Sequence, residues 1–183
     1  MFRIQEEQLF GLYSIYPAVY SDDRGYFFES YKETNYASIC KGLTFIQDNV
    51  SKSKKGTLRG LHFQKMPYAQ GKLVQVLHGA VLDVVVDLRK SSSTYGKHFR
   101  IVLSAANAIQ LYIPPGFAHG FLALEEDTIF SYKCTAPYHQ ESEGCLLWND
   151  PDLNIDWGIS DTAYISDKDA AGVAFQTFQT PFE

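Results

Sequence analysis

A chain of 183 residues is long enough for one sizeable core and short for two, and a net charge of −5 with scattered Lys and Arg argues against a nucleic-acid partner. Its 13 Phe and 12 Tyr favour pleated, half-buried surfaces. Cys40, Cys134 and Cys145 are widely spaced and odd in number, offering neither a disulfide framework nor a zinc spacing, and no apolar run approaches a membrane span, so a soluble, cytoplasmic, reduced protein is expected.

Residues 9–20 read as strand, and Ser21-Asp22-Asp23-Arg24-Gly25 is a turn feeding a second strand over 26–31. The one convincing helix spans 32–40 and is ended by Gly42. Strands follow over 45–50, 57–64, 72–77 and 80–88, the last a nearly continuous β-branched run of core character. Further strands are expected over 99–103, 108–113, 120–124 and 128–135, before a looser, Asp-rich tail from 150 to 183. Many short strands with few helices between them imply a mostly β sandwich or barrel of jelly-roll type, forming one domain over residues 1–183.

The stretch Leu58-Arg59-Gly60-Leu61-His62-Phe63-Gln64 sets two chemically active side chains in an otherwise apolar strand. Arg59 carries a permanent charge and a planar fork of donors suited to phosphate, and His62 is suited to proton transfer near neutral pH. A strand-edge arginine and a hydrogen-bonded core histidine would read the same way. Lys72, at the start of the next strand, is either a cation near the barrel interior or a solvent-facing strand end. Tyr132 alternates onto the face of Phe130 and Cys134, as core or as a general acid. Tyr68 and Lys72 have the spacing of a short-chain dehydrogenase pair, but Pro67 and Gly71 oppose the helix that such a pair needs.

Pro114-Pro115-Gly116-Phe117-Ala118-His119 resembles the second motif of the cupin barrels, in which the histidine commonly binds metal. The first motif would supply a His-x-His pair, whereas this chain has His62-Phe63-Gln64. With His62 and His119 and no obvious third ligand, a metal-free barrel is the expectation.

Taken in order, Asp22-Asp23-Arg24-Gly25, Phe28-Glu29, Gln47-Asp48-Asn49, the strand from Leu58 to Gln64, Pro114 to Phe121 and Ser166-Asp167-Lys168-Asp169 resemble the dTDP-4-dehydrorhamnose 3,5-epimerase family over nearly the whole chain. The resemblance implies a metal-free, cofactor-independent cupin jelly roll that dimerises by exchanging N-terminal strands. It implies conversion of dTDP-4-dehydro-6-deoxy-D-glucose to dTDP-4-dehydro-L-rhamnose, a step of dTDP-L-rhamnose biosynthesis. His62 would be the base, with Asp169 holding its imidazole. Lys72 would stabilise the enolate oxygen, Tyr132 would return the proton, and His119 would line the cavity. Arg59 and Arg24 suit the diphosphate; Glu29, Gln47, Asn49, Glu143 and Lys168 would hold sugar and nucleotide; Tyr138 would stack on thymine. With strands exchanged, Arg24 and Glu29 would serve the neighbouring subunit's site. A single-site epimerase, a metal-dependent cupin enzyme and a non-catalytic sugar-nucleotide-binding barrel are the competing readings.

Overall fold

The computed structural model describes residues 1–159 and 163–183. In chain order the first strands are β1 (Arg3–Glu6), β2 (Tyr13–Tyr16), β3 (Tyr20–Asp22) and β4 (Gly25–Phe27), followed by α1 (Glu33–Cys40), β5 (Gln47–Ser53), β6 (Leu58–Gln64) and β7 (Lys72–His78). Then come β8 (Ala80–Asp87), β9 (His98–Ser104), β10 (Gln110–Ile113), β11 (Phe117–Ala123), β12 (Thr128–Cys134), β13 (Glu143–Cys145) and the short helix α2 (Asp167–Ala170).

These strands form a cupin-type jelly roll. A six-stranded sheet of order β1-β2-β10-β7-β12-β5 faces a five-stranded sheet of order β13-β6-β11-β8-β9, and β3 and β4 make a separate two-stranded ribbon. All of the paired strands run antiparallel.

Alternation explains which side chains meet. Val74 and Val76 on β7, Phe130 on β12 and Leu111 and Ile113 on β10 point inward and pack with Val81 and Val85 of β8 and Phe117 and Phe121 of β11. That core fills one end of the barrel. At the other end the inward positions are polar: Gln47, Asn49 and Ser51 alternate on β5 with the exposed Asp48, Val50 and Lys52. A polar inner face is a poor core, so it marks a cavity.

Both outer faces are also covered. Helix α1 lays Tyr36, Ile39 and Cys40 against Ile15, Leu73 and Tyr112 on the back of the six-stranded sheet. The C-terminal tail brings Leu153, Trp157 and Phe182 onto Leu58, Val84, Val86 and Leu122 behind the five-stranded sheet. Its looseness in the sequence is thus deceptive: it has little regular structure but buries a full second layer.

Several boundaries differ from the sequence expectation. Residues 9–12 form a turn closed by Leu12 N–H to Leu9 C=O, so the expected first strand is reduced to Tyr13–Tyr16 and to Tyr20, which opens β3 and pairs with Phe27. The second strand stops at Phe27. The helix begins at Glu33 and ends where Lys41 (φ 49°) and Gly42 (φ 84°) enter the left-handed region. His119 lies inside β11 rather than at its start, because the turn is confined to Pro114-Pro115-Gly116.

Candidate active site

Strict alternation would place Arg59 and His62, three residues apart, on opposite faces of β6. Both nevertheless line one cavity. The pairing of β6 with β11 explains it: the register is His119 to His62 on one side and Phe121 to Arg59 on the other, with a shift between them. Gly60 sits at this irregularity with φ 138°, and a Cβ there would come 2.4 Å from the Gly120 Cα. Two glycines therefore let the strands approach closely enough to turn Arg59 and His62 inward together.

The cavity has a volume of about 350 Å³. One wall is the five-stranded sheet, which contributes Arg59 and His62 from β6 and His119 from β11. The facing wall is the six-stranded sheet, with Lys72 from β7, Phe130 and Tyr132 from β12 and Ser51 from β5. Glu143, Ser166, Lys168 and Asp169 close the rim. An adjoining cavity of about 340 Å³ shares His62, Lys72, Tyr132 and Glu143 and adds Gln47, Asn49, Gln70 and Tyr138. Two connected lobes suit an elongated polar ligand.

Asp169 reaches His62 from the tail. On one side of α2, Tyr164 bridges to Thr57; on the other, Val173 bridges to Leu146, its N–H donating to the Cys145 carbonyl. These two anchors fix the intervening turn beside β6. Ser166 caps α2 by accepting from the Asp169 N–H, and the Asp169 carboxylate then lies 2.6 Å from His62 Nε2 through Oδ1 and accepts from the Gly60 N–H through Oδ2. Burial alone would push the Asp169 carboxyl up, but the His62 hydrogen bond and charge, with help from Gly60 and Ser166, hold it below the usual carboxylate range.

The facing wall carries the other titratable groups. Burial pushes the Lys72 ammonium below its ordinary range, against the opposing pull of Cys134, Asp83 and Glu143. Lys72 Nζ lies 5.9 Å from the centre of the Tyr132 ring. Burial also raises the Tyr132 hydroxyl, with the neighbouring Cys134 adding to it and Arg59 opposing it. Tyr132 is therefore a neutral phenol at physiological pH, able to donate a proton.

His119 is buried, and its Nε2 lies 2.9 Å from Asp83 Oδ2. Burial lowers its pKa despite the attraction of Asp83. Asp83 was not singled out in the sequence, although an acid inside the apolar run of β8 was a signal. Ser51, Phe130 and Ser166 also line the cavity without having been singled out; Ser166 lies in the Ser166-Asp167-Lys168-Asp169 motif, where only Lys168 and Asp169 were given roles.

The remaining candidates divide into two groups. Glu143 accepts from both the Tyr138 hydroxyl, at 3.0 Å, and Lys168 Nζ. Gln47 donates to Asn49 Oδ1 at 3.0 Å and accepts from the Tyr138 N–H at 3.0 Å. Arg59 donates from Nε to Ser53 Oγ at 3.2 Å. All of these surround the two connected lobes. Arg24 and Glu29 do not: Arg24 pairs with Asp22 on the exposed ribbon, and Glu29 accepts from Asn35.

The family model for dTDP-4-dehydrorhamnose 3,5-epimerase matches residues 6–177. The dTDP-4-dehydrorhamnose 3,5-epimerase of Salmonella typhimurium is 51% identical over 156 residues, covering 85% of each chain. That of Methanothermobacter thermautotrophicus is 48% identical over 170 residues, covering 92% of this chain and 91% of the relative. Among solved structures, the 3,5-epimerase of Legionella pneumophila in complex with dTDP-4-keto-L-rhamnose superposes with a TM-score of 0.94 at 43% identity, covering 98% of this chain and 95% of its own. Matching in sequence along nearly its full length and in fold, the chain belongs to the dTDP-4-dehydrorhamnose 3,5-epimerase family.

Proposed function

We propose that this protein inverts C3 and C5 of dTDP-4-dehydro-6-deoxy-D-glucose to give dTDP-4-dehydro-L-rhamnose. The observation that carries the proposal is the placement of the His62–Asp169 pair on one wall of a cavity whose opposite wall holds Lys72 and Tyr132. Both carbons flank the C4 ketone, so loss of either proton gives an enolate with its charge on the ketone oxygen. Inversion then requires a base on one face of the sugar and an acid on the other.

In this reading His62 removes the proton while Asp169 orients the imidazole. Lys72 neutralises the enolate oxygen, and its ammonium is already desolvated before charge develops. Tyr132 donates from the opposite face. His119, held by Asp83, lines the floor beside them. Arg59 binds the diphosphate, while Gln47, Asn49, Glu143, Lys168 and the exposed ring of Tyr138 hold the nucleotide lobe.

Arg24 and Glu29 enter this reading through a second subunit. The ribbon that carries Arg24 exposes Tyr20, Tyr26 and Phe27, each more than half accessible. We read this aromatic surface as a dimer interface through which exchanged N-terminal strands deliver Arg24 and Glu29 to the neighbouring cavity. The chain acts as one domain. Among the described residues no helix is long and apolar enough to cross a membrane, and the free thiols suit a cytoplasmic setting.

Incubation with dTDP-4-dehydro-6-deoxy-D-glucose in D2O tests the reading by NMR. Deuterium at both C3 and C5 with inverted product is expected. Deuterium at one carbon would reassign the protein as a single-site epimerase, and exchange at neither would remove the catalytic reading.

A further inference from the structure

We propose that the base pair of this site doubles as an inhibitory site for Zn2+ and similar borderline-soft divalent cations, with Cys145 as the third ligand. Strand β13 pairs with β6 so that Cys145 stands directly opposite His62. Ligand atoms of His62, Cys145 and Asp169 all lie within 4.8 Å of one another. An imidazole nitrogen, a thiolate and a carboxylate form a donor set of the type that holds zinc. Cys145 has no place in the epimerisation chemistry, and its thiol makes a weak hydrogen bond of 3.4 Å to the Leu146 carbonyl.

The geometry needs a modest adjustment. Tetrahedral Zn2+ separates neighbouring ligand atoms by roughly 3.3–3.6 Å, so the 2.6 Å contact between His62 and Asp169 must open while Cys145 closes in. The His62 side chain is 28% exposed and faces the cavity, which leaves it room to move. The ion takes the place of the proton that His62 Nε2 shares with Asp169, which moves to Nδ1 of the same ring, and it displaces the thiol proton of Cys145, which passes to solvent. The cavity side supplies water as the fourth ligand. With Nε2 on the metal and the ring proton on Nδ1, His62 has no lone pair left to remove a substrate proton.

The inhibition rests on the reading of His62 as the base, but the binding does not, so metal binding is measured separately. Metal-free protein titrated with Co2+ should develop tetrahedral d–d bands and a thiolate-to-cobalt charge-transfer band at one equivalent per chain, and Zn2+ should abolish them. In the epimerase assay Zn2+ should inhibit, and EDTA should restore the rate. Cys145→Ser, and Cys145→Ala should the first variant fold poorly, should lose the charge-transfer band. Each should become at least about tenfold less sensitive to Zn2+, judged against its own metal-free rate. Cys134→Ser should keep the band. Absence of the band in the parent protein, its persistence in both Cys145 variants, or unchanged Zn2+ sensitivity in them would overturn the proposal. A protein that shows the band but exchanges no substrate protons would leave the metal site standing and overturn the epimerase reading instead.

Discussion

The Asp169 carboxylate lies 2.6 Å from His62 Nε2, joining residues 107 positions apart in the chain. The contact exists because two short backbone bridges, at Tyr164 and Val173, pin the tail across β6 and β13. Asp169→Asn keeps the shape and removes the charge. We expect kcat to fall by roughly 10²-fold or more, with KM changed little, since the orienting of a general base is lost while the binding groups remain. The same variant should affect stability. A carboxyl whose pKa is lowered by folding contributes stability that is present above the unfolded value near 3.9 and disappears as pH falls through the folded one. Urea unfolding should therefore show Asp169→Asn less stable at pH 7 by about 1.5 kcal/mol, the gap narrowing on acidification below about pH 4. Parallel loss at both pH values would show that the charge is not what stabilises.

In the proposed mechanism Lys72 should set the alkaline limit of activity. Its ammonium must be protonated to neutralise an enolate, and burial lowers its pKa from the ordinary lysine range. The rate should decline with rising pH before an ordinary lysine, near 10.4, would titrate. Lys72→Arg should shift that decline to higher pH, because guanidinium stays charged, while lowering the maximum rate through poorer fit. A pH profile of kcat in both proteins is the check; superimposable alkaline limbs would assign the decline to another group.

If Arg24 serves the partner's cavity, two crippled subunits can repair each other. In a mixed dimer of Arg24→Ala and His62→Ala chains, one site combines intact His62 with intact Arg24 and the other lacks both. Unfolding, mixing and refolding the two inactive variants should restore about a quarter of the parent activity, because half of the dimers are mixed and half of their sites are whole. No recovery, with dimers present, would place Arg24 in its own subunit's site or outside any site.

Much of the architecture was legible because it depends on local pattern. The β-branched run of β8 and the spacing of turns gave the jelly roll, and the chemistry of Arg59 and His62 singled out β6 before any pairing was known. What could not be read depends on tertiary register. Alternation sends Arg59 and His62 to opposite faces, and only the shift opposite Gly120 brings them together. Cys145 is an isolated thiol in the sequence and becomes a neighbour of His62 through an antiparallel pairing that no local signal predicts. Asp169 was reached by resemblance alone; its polar surroundings look solvent-facing, yet its side chain is 6% exposed.

The central claim is that base and acid act from opposite walls, and Tyr132→Phe in D2O tests it most directly. This variant keeps the ring that packs against the core and loses the hydroxyl. We expect deuterium still to enter recovered, uninverted substrate, because His62 can remove a proton and return a solvent-exchanged one to the same face, while inverted product falls by roughly 10²-fold or more. Inverted product forming at the parent rate would show that the proton comes from a group other than Tyr132 and contradict the two-wall mechanism.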